Sequence, residues 1–367
     1  MRMRLRNRSL PVAVAACAAA LLVSPTAAAD AAPKWGFHLG QVPTGTTTGG
    51  QLALDPASGS FYIADNALPL SIEHRVVNTA PPRVSVFSTA AQRPVRHIDL
   101  AGQPTGPFTY GPFVLPVGQI PDGMALDTVN RRVVTTSAHA NGLSVFGMDA
   151  RWTGPKNLVA ILPGSHPMGV VTDNAGRAWA SLFSKDKVVV IDTATRRIVG
   201  SIATVRPTLL VHDPARSRVY AGNNDAVQKR RNYIGVIDTR TNRLVGKIAA
   251  TRNSRAQVDP ATGRVFIASF VSGRLAAIDP HSLRVVKVVK TNSTPSSMVV
   301  DPQRRLLYVT TMFRKTLLVL DADSLQTIAK VRVPGHVHTL ALDPRSGLVY
   351  GTQNGTSMMM VVRPQAR

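Results

Sequence analysis

Seven segments of this chain line up on an aspartate: QLALDPASGSFYIAD on Asp55, GMALDTVNRRVVTTS on Asp127, GVVTDNAGRAWAS on Asp173, LLVHDPARSRVYAG on Asp213, AQVDPATGRVFIAS on Asp259, MVVDPQRRLLYVTT on Asp301 and LALDPRSGLVYGT on Asp343. From Asp127 onward the aspartates recur every 40 to 46 residues. A unit of that length cannot bury its own apolar face and has to stack on copies of itself, and the period is that of propeller blades.

The chemistry of one unit gives the same answer. A short apolar run ends in Asp-Pro, turn-forming residues follow, and a second run such as RVYAG or RVFIA leads away. The Asp side chain accepts hydrogen bonds from the backbone just ahead of it, and Pro presets φ for the first turn position. Gly59, Gly263 and Gly347 stand where such a hairpin loop takes a left-handed residue. A second hairpin follows in VVVIDTATRRIVGSI (188–202), IGVIDTRTNRLVGKI (234–248), LAAIDPHSLRVVKVV (275–289) and LLVLDADSLQTIAKV (317–331). Its first run is almost wholly apolar, as in a strand buried on both faces, and its second alternates and is basic, as an outer edge strand should be. Two hairpins give four strands per unit and seven units give seven blades.

These lines, V-x-V-I-D-T-x-T-x-x-[IL]-V-G and D-P-x-x-x-R-V-Y, resemble the YVTN β-propeller repeat family, including YncE-like exported proteins. The likeness is clean from residue 164 onward and degenerate in the first two blades. It implies an all-β, single seven-bladed β-propeller of four-stranded antiparallel blades. It implies little about activity, because propellers host many functions. The seventh unit ends after SMMMVVRP (357–364) with no outer strand, whereas Lys34–Val42 places Trp35, Phe37 and Leu39 on one face at period two. This N-terminal segment is expected to supply the missing strand of the last blade and so remove two sheet edges.

Ahead of that strand, Arg2, Arg4, Arg6 and Arg8 precede an apolar run from Val12 to Val23 and the small-residue stretch Ala27-Ala28-Ala29. This is the pattern of a secretory signal peptide over 1–29, with cleavage after Ala29, leaving 30–367 as the propeller domain of a secreted, extracytoplasmic protein. The run is too short to span a bilayer. Val14-Ala15-Ala16-Cys17 also fits a lipoprotein cleavage site, but Leu21, Leu22 and Val23 continue the apolar stretch past it, which argues against a lipid anchor at Cys17. Cys17 is the only cysteine, so the mature chain has none and a core of this size needs no staple. Removing the four signal arginines from a formal charge of +23 leaves +19. That field favours anionic polymers such as a cell-wall polymer or nucleic acid. Alternatively, the arginines reflect composition and fall at regular repeat positions on the surface. Another protein is the other partner class to expect, and a monomer the expected state.

Both Asp turns of each unit lie on one face of the ring, and the remaining loops on the other. Insertions gather on that other face: Asn66–Pro82, GQPTGPFTYGPFVLPVG (102–118) and NNDAVQKRRN (223–232). Rigid scaffolds carry function on such loops, which makes this the expected binding surface. Counting seven residues back from each repeat aspartate finds His166, Arg206, Arg252 and His336, and counting five back finds His338 and Asp122. Two arginines and three histidines at one mouth suit an anionic ligand, and Lys229, Arg230 and Arg231 form the densest basic run of the mature chain. His336 and His338, two apart, could form a metal pair if a third ligand came from His166 or Asp122.

The acid inventory argues against several enzymes. Glu73 is the only glutamate, and the repeat turns account for most of the aspartates. Calcium-dependent lactonases and streptogramin lyases, which resemble this chain in fold, are expected to use glutamate. The sequence holds no G-x-S-x-G, H-E-x-x-H or phosphate loop, so no cofactor and no catalytic residue is assigned. The expectation is a binding or scaffold protein, with a lactonase-like hydrolase or lyase at the channel mouth as the alternative.

Overall fold

The Asp-Pro turn forms because each carboxylate replaces backbone partners that the turn leaves open. Asp259 accepts the Ala261 N–H at 3.0 Å and the Thr262 hydroxyl at 2.6 Å, and Gly263 closes the turn at φ 73°. The second turn works alike: Asp279 accepts the Ser282 N–H at 2.7 Å, and this hydrogen bond holds its carboxyl below the usual carboxylate range. Each pair of hairpins builds one four-stranded antiparallel sheet, as in Pro207–Asp213, Arg218–Asn223, Tyr233–Asp238 and Arg243–Ala249, running from the channel outward. The computed structural model describes residues 35–46, 49–65, 82–100, 106–110, 113–117, 121–224, 232–251, 253–353 and 356–366, and within them are seven such sheets. The protein is an all-β, seven-bladed propeller. The segments 1–34, 66–81 and 225–231 and the residues Thr48, Ile120 and Arg252 lie outside the described residues. The expected signal peptide and Cys17 therefore fall outside them too. Part of the 102–118 insert adds a two-stranded hairpin, Gly106–Tyr110 against Phe113–Val117.

The core lies between blades. Each of seven apolar clusters belongs to two neighbouring blades. One joins Tyr62, Val84 and Ile98 of blade one to Met124, Val133 and Phe146 of blade two. Another joins Leu348, Tyr350 and Met359 of blade seven to Phe61, Ile63 and Phe87 of blade one, which closes the ring. The aromatics that recur at one register (Tyr62, Trp179, Tyr220, Phe266, Tyr308, Tyr350) are all buried in these interfaces, as their repetition predicts.

Arginines staple the blades on the Asp-turn face. Arg177 and Arg218 open the second strands of blades three and four, and Arg264 immediately precedes that of blade five. Each donates to a carbonyl in the outer turn of the next blade: Thr239 at 2.8 Å, Pro280 at 2.5 Å and Ala322 at 3.1 Å. Arg305 pairs with Asp259 of the preceding blade at 2.7 Å and with Asp323 at 2.6 Å. Arg345 of blade seven reaches the Ala57 carbonyl of blade one at 3.1 Å. A share of the basic excess is thus structural, in agreement with its regular spacing.

Closure follows the expected route. Trp35–Pro43 pairs antiparallel with Met358–Ala366, Trp35 opposite Ala366 and Pro43 opposite Met358, as the outer strand of blade seven. Trp35 and Phe37 pack on the cluster between blades six and seven, with the Phe37 ring edge-on to Tyr308 at 6.3 Å. Leu39 differs from expectation: it is 38% exposed. The outer strand of blade six ends at Arg332, so Leu39 faces an open notch beside Val333 and Pro334 in place of a neighbouring sheet.

Candidate functional site

The inner strands carry a register shift near the insert-bearing mouth in five blades, between Gly49/Leu52, Pro167/Val170, Pro207/Leu210, Pro295/Met298 and Val337/Thr339. A β-bulge re-aims the side chains that enter it. Residues at a fixed count from the repeat aspartate therefore share a position along the chain without sharing an orientation.

The mouth residues accordingly sit in different settings. His166 is exposed at φ 46°; Asn141 Oδ1 accepts its N–H at 3.1 Å, and Ser184 Oγ lies 3.3 Å from its Nδ1. Arg206, at φ 37°, donates its N–H to Asp186 Oδ1 at 2.8 Å and lays its guanidinium over the Phe183 ring, 4.1 Å from the centroid. His336 lies outside the strand Val337–Leu342, and its Nδ1 is 2.7 Å from the Met312 carbonyl it donates to. His338 is half-buried in the channel, its Nδ1 3.1 Å from the Thr339 hydroxyl and its ring bonded to the Gly50 carbonyl of blade one. Burial, and next the charge of Arg255, hold His338 down at about 4, while Gly50 and Asp122 oppose the shift. His338 is engaged within the protein, whereas His336 lies outside the strand and faces solvent, so the two histidines do not share a strand face. Among the described residues no group of three His, Cys, Asp or Glu is placed to hold a metal ion. Asp122 accepts the Ala138 N–H at 2.7 Å and stands 3.5 Å from His139 Nδ1. Arg252, Lys229, Arg230 and Arg231 lie outside the described residues, as do Glu73 and Asp225.

Arg255 is the residue the sequence reading passed over. Its Nη1 donates to the Ser296 carbonyl of the next blade at 2.5 Å, and among the described residues it has no carboxylate partner. Burial pushes its pKa below the usual arginine range, and its charge reaches His338 two blades away. The strand Ser254–Val258 keeps an unbroken register, so Arg255 is aimed differently from its counterparts. The signal was present four residues before each repeat aspartate. There the chain reads Gln51, Gly123, Gly169, Leu209, Arg255, Ser297 and Thr339, with one charge among seven.

The opposite mouth has another character. On the Asp-turn face the channel widens into a cavity of about 630 Å³. Leu210, Val300 and Leu342 line it, with Pro56, Pro302 and Pro344 at its rim. Its one titratable group, His212, is stacked on Trp179 at 6.1 Å, and burial lowers its pKa below the usual histidine value. Such a lining offers nothing to a charged ligand.

No family model matches the chain, and no curated protein matches it. Among solved structures, hydrazine synthase of Kuenenia stuttgartiensis is similar in fold, with a TM-score of 0.62 and 15% identity over 88% of this chain and 97% of that one. At this identity the likeness is one of propeller architecture alone.

Proposed function

We propose that the protein is an exported, YVTN-type propeller that acts as a binding or scaffold protein, engaging an anionic ligand or partner through its insert-bearing face. A propeller fold fits a binding or scaffold role. The observation that carries the choice of ligand is the separation of charge across the last three blades. From Arg252 to the end of the chain every acid (Asp259, Asp279, Asp301, Asp321, Asp323, Asp343) lies in the turns of one face. At the strand ends toward the other face stand Arg274, Lys290, Arg314, Lys315 and Arg332, all exposed and, among the described residues, without ion pairs. Such a sector attracts anions and repels cations at long range.

The test is binding of single-stranded DNA and of inorganic polyphosphate in rising salt. Arg274→Ser with Lys290→Ser should flatten the log–log slope by about 1.4–1.8, the change for two phosphate contacts. Arg243→Ser with Arg284→Ser, which removes the same charge near the Asp turns, should leave the slope unchanged. Equal effects of the two pairs would reduce the face to part of a diffuse field. Export is checked by mass spectrometry of culture fluid, where the mature chain should begin at Asp30. A membrane-held form with a modified Cys17 would refute export as a free protein.

A further inference from the structure

Between blades five and six, on the same face, the connection Thr291–Ser293 and the turn Phe313–Lys315 enclose a cavity of about 360 Å³ with the outer strand of blade six. Arg314, Lys315, Lys330 and Arg332 line it, and no carboxylate does. The hydroxyl of Ser293, also in the lining, is buried and makes no hydrogen bond within the protein, and neither does that of neighbouring Thr294. The cationic turn is held in place: Val333 donates to the Lys315 carbonyl at 2.9 Å, and the Thr316 hydroxyl donates to the Arg314 carbonyl at 2.9 Å. Phe313, 71% exposed, stands beside these cations with its ring edge-on to Phe270 at 6.3 Å.

We propose that this cavity binds a small sugar carrying two phosphate groups. Each phosphate monoester bears a charge of about −1.5 to −2 at neutral pH, so two of them offset four cations with no acid nearby. The volume lies in the range of small-ligand sites. Asn292 supplies a donor and an acceptor that sugar hydroxyls take up, and the Phe313 ring offers an apolar face to the sugar ring. A phosphodiester polymer carries one charge per unit and would need about four units to match the site, more than a cavity of this size encloses.

The inference rests on the anion-binding reading of this face and narrows it to one cavity. Isothermal titration of the intact protein with fructose 1,6-bisphosphate, glucose 6-phosphate and inorganic pyrophosphate tests it. The bisphosphate should bind at least about tenfold more tightly than either of the others. Lys330→Gln with Arg332→Gln should weaken it by about tenfold or more, the scale of one lost charge-assisted hydrogen bond. Arg243→Ser with Arg284→Ser, near the Asp turns, should leave it within about twofold. Polyphosphate or DNA binding without bisphosphate binding would overturn the inference and leave the reading of the face standing. Absence of binding to every anion would remove both. Equal losses in the two double variants would assign the effect to the general field and overturn the cavity.

Discussion

His338 stands in the channel with Arg255 and Asp122 both near enough to act on its charge, and burial decides its titration. Its folded pKa of about 4 lies below the ordinary 6.5, so the unfolded chain takes up the proton first. Its contribution to stability is therefore complete above about pH 6.5 and is lost as pH falls through 4. His97 and His212 are lowered too, chiefly by burial, and act in the same direction. Comparison with His338→Asn isolates one residue. Between pH 6.5 and 4 the wild type should lose about 1–2 kcal/mol more than the variant in urea unfolding, less than the full shift implies because the residue is only half-buried. Parallel pH profiles would show that the ring is not held neutral. Gly123 gives a second residue-scale prediction. A Cβ there would lie 2.0 Å from the Met168 carbonyl oxygen of the next blade and 2.5 Å from the Thr136 hydroxyl. The inner ring has no room, and Gly123→Ala should cost about 3 kcal/mol or more in denaturant unfolding. A loss under 1 kcal/mol would mean that the blades approach less closely there.

At the level of strands, hydrophobic period two and the paired aspartates made the hairpins readable, including the outer strand that arrives from the N-terminal end. The bulges at the channel end were not readable, because each adds residues between two positions that look alike in the sequence. A fixed count from the aspartate grouped His166, Arg206 and His336 as one ring, where the structure gives each its own turn and partners. The same count missed Arg255, whose strand has no bulge. For the closing strand, Trp35 and Phe37 carry the apolar contact and Leu39 does not. Phe37→Ala should cost about 1–2 kcal/mol and Leu39→Ala under about 0.5, given their half-buried and exposed positions. Deleting residues 35–42 should cost several kcal/mol more, since it also reopens a sheet edge. Equal melting of the deletion and the full chain would contradict closure by this strand.

For the whole molecule, the repeat period fixes the architecture because each apolar cluster is shared by two blades and the ring is complete only when blade seven meets blade one. The charge was readable as a sum and unreadable as a pattern. The sum is spread evenly along the sequence, whereas the fold sends the acids of blades five to seven to one face and sets Arg274, Lys290, Arg314, Lys315 and Arg332 toward the other. That separation is the centre of the functional account. Hydrogen–deuterium exchange with and without inorganic polyphosphate tests it most directly. Exchange should slow in the connection 291–293 and the turn 312–315 of the insert-bearing face, with the Asp turns at 259–263 and 301–305 unchanged. Protection of those Asp turns, or protection spread evenly around the ring, would contradict it.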